Sequence, residues 1–164
     1  MQFEKPVPLM ASHEVNSFCC GIEELEVFLT KYAFQSQAPH ASRTYVSLKE
    51  NKIVGYYSLS YRSISSDTTP TRVSKGMGRY PIPIMILARL AVDLDFHGLG
   101  LGESLLKDAF KRTINASEIV GLRAIFVVAK DNKASTFYKK YGFMESGVDE
   151  FHLFLLLKDI LKSM

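Results

Sequence analysis

The residues best placed to do chemistry lie in one short run, His97-Gly98-Leu99-Gly100-Leu101-Gly102. An apolar stretch that reads as a buried strand, Ile82 to Val92, precedes it. Glu103 to Arg112 follows and reads as a helix, with Leu105, Leu106, Ala109 and Phe110 on one face. A strand, a glycine-rich turn and a helix start together make an anion site. The first helical amides lack intrahelical partners and carry the positive end of the dipole. Glycines let the backbone come close to a phosphate because no Cβ intervenes. A Walker A loop needs Lys and Ser/Thr after its last glycine, and here Gly102 is followed by Glu103 and Ser104. A dinucleotide loop needs GxGxxG, and Glu103 stands where its third glycine belongs. A turn that only links a strand to a helix is the plain alternative.

Other chemistries find little support. His13, His40, His97 and His152 show no metal spacing. His152 alternates within an apolar strand and reads as structural. No GxSxG is present, so a Ser-His-Asp hydrolase is unsupported. Cys19 and Cys20 are the only cysteines and are adjacent, which disfavours a bridge and suits reduced thiols in a cytosolic protein. The first residues lack the layout of a signal peptide, and no apolar run is long enough to span a membrane. A cytoplasmic location is therefore expected. The net charge of +3 permits an anionic partner without requiring one.

The elements that must position the loop follow from periodicity. Ile22 to Gln37 reads as one helix with Leu25, Phe28, Leu29, Tyr32 and Ala33 on a single stripe. Arg43 to Lys49 and Ile53 to Ser60 alternate, with Glu50-Asn51-Lys52 as the turn of an antiparallel hairpin, and strand character continues toward Ile64. Ser65 to Tyr80 is a long polar loop. Leu122 to Ala129 is a second apolar strand, Asn132 to Tyr141 a short helix stopped by Gly142, and Phe151 to Leu157 a closing strand. Lys158 to Met164 reads as a surface tail or short helix. A chain of 164 residues with 47% apolar content is expected to form a single domain, 1–164, with a mixed α/β sheet and helices on both faces.

The chain resembles the GNAT N-acetyltransferases. Their acyl-CoA signature, Gln/Arg-x-x-Gly-x-Gly/Ala, matches His97 to Gly102 with His97 at the first position. Asn132-Lys-Ala-Ser-Thr-Phe-Tyr-Lys-Lys-Tyr-Gly-Phe143 resembles the family's second segment, which carries the F-Y-x-x-x-G-F run. A narrower resemblance, to the GNAT toxins of type II toxin–antitoxin pairs, covers nearly the whole chain. It is carried by Phe18-Cys-Cys-Gly21, Ala41-Ser-Arg-Thr-Tyr45, Val54-Gly-Tyr-Tyr57, Pro81-Ile-Pro83, Leu90-Ala-Val-Asp93 and His152-Leu-Phe-Leu-Leu-Leu-Lys158. The resemblance implies a GNAT fold, a mixed and mostly antiparallel central sheet flanked by helices. It implies acetyl-CoA as co-substrate, no metal, and aminoacyl-tRNA acetylated on its α-amino group to stop translation. It also implies a ribbon-helix-helix antitoxin and a homodimer.

Residue by residue, the resemblance assigns Leu90, Ala91 and Val92 to the pantetheine arm through their backbones. His97, Gly98, Leu99, Gly100, Leu101 and Gly102 go to the pyrophosphate, and Asn132 and Ser135 to the CoA arm. Tyr138 becomes the proton donor to the leaving thiolate, and Tyr141 is structural. No carboxylate is expected as a general base. An RNA acceptor needs cations, for which Arg43, Arg72, Arg79 and Arg89 are the main candidates. Arg89 lies inside an apolar strand and must be salt-bridged or line the acceptor side. Two other functions compete: acetylation of a small amine or protein N-terminus, and non-catalytic acyl-CoA binding.

Overall fold

The structure, a computed structural model, describes residues 3–163. The elements in chain order are β1 (Val7–Pro8), α1 (Glu23–Val27), a π-helical turn (Phe28–Tyr32), α2 (Ala33–Gln37), β2 (Arg43–Lys49), β3 (Lys52–Ile64), α3 (Thr71–Ser74), β4 (Ile82–Val92), α4 (Leu101–Ser117), β5 (Ala124–Val128), α5 (Asn132–Lys140), β6 (Met144–Glu145), β7 (His152–Leu156) and α6 (Leu157–Ser163). Seven strands hydrogen-bond in the order β1-β2-β3-β4-β5-β7-β6. β1–β2, β2–β3, β5–β7 and β6–β7 are antiparallel, and β4–β5 is parallel. The parallel pair is the one joined through a helix, α4, as a crossover requires. The sheet is thus mixed and mostly antiparallel, as expected.

The chain divides into two compact units, Met1–Ser60 with Ala88–Lys111, and Tyr61–Leu87 with Arg112–Met164. Each carries its own apolar cluster. In the first, Phe18, Phe28, Leu29, Val46, Ile53 and Tyr56 pack together. In the second, Val73, Ile82, Ile84, Phe126, Phe154 and Leu156 do so. Full burial of each such side chain contributes about 1.5–3 kcal/mol.

The expected helix Ile22 to Gln37 is not one continuous α-helix. Between α1 and α2 the Ala33 amide donates to Phe28 O, five residues back. This π register rotates the following face, so Tyr32 leaves the expected stripe and is 54% exposed while Leu29 and Ala33 stay buried. Thr30 Oγ1 reaches back to Glu26 O at 3.1 Å and Val27 O at 3.3 Å.

The hairpin turn is shorter than expected. Lys49 pairs with Lys52, leaving Glu50 and Asn51 as a two-residue turn, both at positive φ. The long loop is partly structured by a 3-10 turn at Ser66–Thr68 and by α3. α4 begins two residues before the expected helix and continues to Ser117. The tail folds as α6. β1 and β6, two residues each, are too short to leave a periodic signal.

Candidate active site

The glycine loop is held from both ends. At the end of β4, buried Asp93 accepts from Asp95 N at 3.0 Å, capping the 3-10 turn Leu94–Phe96, and from Cys19 N at 3.3 Å. The Leu94 amide donates to Cys19 O at 2.9 Å. His97 Nε2 lies 2.8 Å from Val92 O, a hydrogen bond that staples the loop to the last residue of β4. His97 therefore fixes the loop through its ring, where the family pattern has Gln or Arg.

Gly98 and Gly100 adopt φ of +77° and +84°, a region costly for other residues. No atom lies within 4 Å of where a Cβ would stand at either. The protein itself does not crowd these glycines. Their conformation shapes the loop and leaves open space beside it for a ligand. The Ser104 amide closes the first turn of α4 on Gly100 O at 3.1 Å. The amides of Leu101 and Gly102 precede that closure and belong to the helix start that favours anions.

A cavity of about 330 Å³ opens beside Gly100, lined by Lys5, Pro6, Glu103, Ser104, Lys107, Asp108 and Lys111. Lys107 pairs with Glu103 at 2.8 Å, and the Tyr57 hydroxyl donates to the Asp108 carboxylate. Sequence reasoning missed Lys5, Lys107 and Lys111. For Lys107 and Lys111 the available signal was their places on the face of α4 reached from Gly100 by steps of three or four residues.

β4 has a second relevant feature. Its pairing with β5 runs only over Ile84↔Ala124, Met85↔Ile125 and Ile86↔Phe126. Among the described residues that pairing ends at Ile86, and farther along β4 the Ala91 carbonyl faces Gly55 of β3. The Val92 carbonyl accepts from His97.

The remaining expected CoA and catalytic residues are on α5, in the second unit. Asp131 caps the helix by accepting from Ala134 N at 2.8 Å. Asn132 is exposed, and Ser135 and Tyr138 are buried. Edge-on contacts with Phe137 and Phe143, at 5.2 and 5.4 Å, hold the Tyr138 ring. Its hydroxyl makes no hydrogen bond among the described residues. No fully enclosed side-chain polar atom there lacks a partner, so the Tyr138 oxygen must still reach solvent. Burial pushes its pKa well above the usual tyrosine value, so it keeps its proton. Tyr141 ends the helix and stacks edge-on with Phe137, a structural placement.

Tyr56 is shifted the same way by burial, and its hydroxyl donates to Leu25 O at 2.6 Å. A folded-state value raised above the unfolded one stabilises fully below the unfolded value and is lost above it. Thermal stability is therefore expected to lose nothing from these tyrosines between pH 7 and about 9, then fall above about pH 10. Melting curves across that range check this, and Tyr138→Phe is expected to reduce the alkaline slope.

The four candidate RNA-binding arginines separate. Arg43 is exposed on β2, and Arg79 is exposed in the long loop. Arg72 makes a two-pronged ion pair with Asp159, at 2.8 and 3.2 Å, so an RNA phosphate would have to compete with that carboxylate. Of the two expectations for Arg89, a salt bridge or a place lining the acceptor side, no salt bridge forms among the described residues, and its guanidinium instead lies 3.6 Å from the Phe28 ring centroid. His152 packs edge-on against Phe126, which supports its structural reading. Neither cysteine is in a disulfide. Among the described residues no cluster of three or more His, Cys, Asp or Glu could hold a metal. None of their helices is long and apolar enough to cross a membrane.

Comparison with known proteins decides what this arrangement belongs to. The family described as "Acetyltransferase (GNAT) domain" matches residues 40–145, from β2 through the glycine loop and α5 to β6. The chain belongs to the GNAT acetyltransferases. Within that family it is 37% identical to the tRNA-acetylating toxin of Mycobacterium tuberculosis (strain ATCC 25618 / H37Rv), over 96% of this chain and 94% of the relative. It is 27% identical to a probable toxin TacT of Sinorhizobium fredii (strain NBRC 101917 / NGR234), over 80% of this chain and 78% of that one. Among solved structures, AtaT complexed with acetyl-methionyl-tRNAfMet matches with a TM-score of 0.89 and 30% identity, covering 99% of both chains. AtaT bound to the C-terminus of the antitoxin AtaR and to acetyl-CoA matches with a TM-score of 0.82 and 28% identity, covering 100% of both.

Proposed function

We propose that this GNAT enzyme transfers acetyl from acetyl-CoA to the α-amino group of aminoacyl-tRNA and acts as the toxin of a toxin–antitoxin pair. The observation that carries this reading is end-to-end similarity to a tRNA-acetylating toxin at 37% identity. The match to AtaT with its acetylated tRNA product supports it. In this reading residues 1–164 form one catalytic domain in the cytoplasm. The partner is a ribbon-helix-helix antitoxin and the active form is a homodimer.

The chain's own residues fit an acyl-CoA. The open glycine loop and the start of α4 would hold the pyrophosphate. Lys5 and Lys111 beside Gly100 would add positive charge for the nucleotide end, while Lys107 is paired with Glu103. Backbone groups of Leu90 and Ala91 would hold the pantetheine arm, a role the family resemblance also gives to Asn132 and Ser135. Bound acetyl-CoA supplies the acetyl group as a thioester. Tyr138 keeps a phenolic proton for the departing sulfur. The α-amine of an aminoacyl ester is less basic than a lysine amine, so water or a backbone carbonyl suffices to take its proton.

Incubation with acetyl-CoA and a mixture of charged tRNAs is expected to give N-acetyl-aminoacyl-tRNA. Transfer to a polyamine or a peptide N-terminus with no acetylated tRNA would sink the reading in favour of a different acceptor. Binding of acetyl-CoA without transfer to any amine would leave only a binding module.

A further inference from the structure

We propose that Arg79 and Tyr80 form a two-residue RNA clamp, the Tyr80 ring stacking on an unpaired base and the Arg79 guanidinium taking the neighbouring phosphate. This deepens the proposed function and rests on RNA being part of the acceptor.

The loop between β3 and β4 is fixed at its root and presented at its tip. At the root, Val73 is fully buried and packs with Ile82 and Ile84, with Met77 against the same cluster. Arg123 gathers three carbonyls of the loop: Nε donates to Val73 O at 2.8 Å, and Nη2 donates to Arg72 O and Lys75 O, each at 3.1 Å. The Arg72–Asp159 pair ties the same turn to α6. At the tip, Gly76 and Gly78 adopt φ of +83° and +67°, with nothing near their Cβ positions. Arg79, Tyr80 and Pro81 then stand exposed before Ile82 returns to the core.

Tyr80 is 81% exposed, and among the described residues neither its ring nor the Arg79 guanidinium has a partner. A large aromatic ring held out to solvent beside an unpaired cation, on a rigid root, is the arrangement that binds single-stranded nucleic acid. The charge around it favours an anion over a protein surface of mixed sign. From Thr68 to Val92 the chain carries Arg72, Lys75, Arg79 and Arg89 and no acidic residue. Arg72 is neutralised by Asp159, which leaves Lys75 and Arg79 as the exposed charges on the β4 side of the loop, with its one acidic residue, Asp67, at the β3 end. Root anchoring also lowers the ordering cost of binding, since the backbone is already placed. An uncharged RNA tail suffices as ligand, because neither residue needs the amino acid.

The test is fluorescence anisotropy with a labelled RNA hairpin that ends in an unpaired 3′ tail. Tyr80→Ala is expected to weaken binding about tenfold or more, and Tyr80→Phe to retain it, since stacking needs the ring and not the hydroxyl. Arg79→Ala is expected to lower the slope of log affinity against log salt by about one. Acetyl-CoA affinity and the melting temperature of each variant report whether the fold is intact, and both should match wild type. With aminoacyl-tRNA, Tyr80→Ala should raise KM more than it lowers kcat. Wild-type RNA affinity in Tyr80→Ala overturns the clamp. So does a Tyr80→Ala variant that keeps RNA but loses a protein partner such as an antitoxin segment. A wild-type enzyme that fails to acetylate aminoacyl-tRNA sinks the proposed function instead, while the comparison of RNA affinities still decides the clamp.

Discussion

Tyr138→Phe is expected to lower acetyl transfer by about 10²–10⁴-fold while leaving acetyl-CoA affinity unchanged. The magnitude is that of removing a positioned proton donor. The residue suits the role because its environment acts on one form only. Burial raises its pKa, and no protein group competes for its hydroxyl among the described residues. The same facts separate a catalytic effect from a structural one. Removing a hydroxyl that makes no internal hydrogen bond forfeits no bond energy, so stability should hold or rise slightly. Single-turnover transfer, equilibrium binding and melting measured on the same preparation test all three. A variant with wild-type turnover would remove Tyr138 from the chemistry. A variant that is slow and also unstable would mean that the ring, and not the proton, was disturbed.

Gly100→Ala is expected to weaken acetyl-CoA binding by at least about 100-fold with a smaller effect on folding. Two costs combine. At φ +84° an added Cβ is strained by about 1–2 kcal/mol, which appears in stability. The Cβ would also project into the open space beside the loop, where a diphosphate must approach the amides at the start of α4. That second cost appears only in binding. Gly121→Ala is the control: its φ lies outside the left-handed region and nothing stands near its Cβ position, so neither quantity should change. Titration calorimetry with acetyl-CoA gives the binding term and thermal melting the strain. Equal affinity in Gly100→Ala and wild type would show that the loop does not hold the cofactor.

Much of this was readable from residue order because the signals are local. The strands at Arg43, Ile82 and Leu122 announced themselves by apolar alternation or continuity, and the glycine loop by its place between a strand and a helix. α5 was legible from its motif and from Gly142 beyond it. What was hidden depends on partners remote in sequence or on degenerate signals. Nothing near Arg72 indicates that Asp159, 87 residues away, takes its charge. Nothing in β4 indicates that Arg89 would rest on Phe28. Lys107 and Lys111 look like ordinary charge on a solvated helix face until Lys5 is seen lining the same cavity. His97 read only as a departure from a pattern, whereas in space it is the staple between Val92 and the loop.

The π turn at Phe28–Tyr32 makes this helix asymmetric toward changes in length. The segment from α1 to α2 carries one residue more than an α-helix needs for the same rise, and Thr30 lends its hydroxyl to the carbonyls left behind. Loss of one residue there lets the amide ladder close at four-residue spacing throughout. It would also turn the exposed Tyr32 back toward the buried stripe. Gain of one residue has no such outlet. This helix can therefore shorten by a single codon where α4 or α5 would lose register with the sheet.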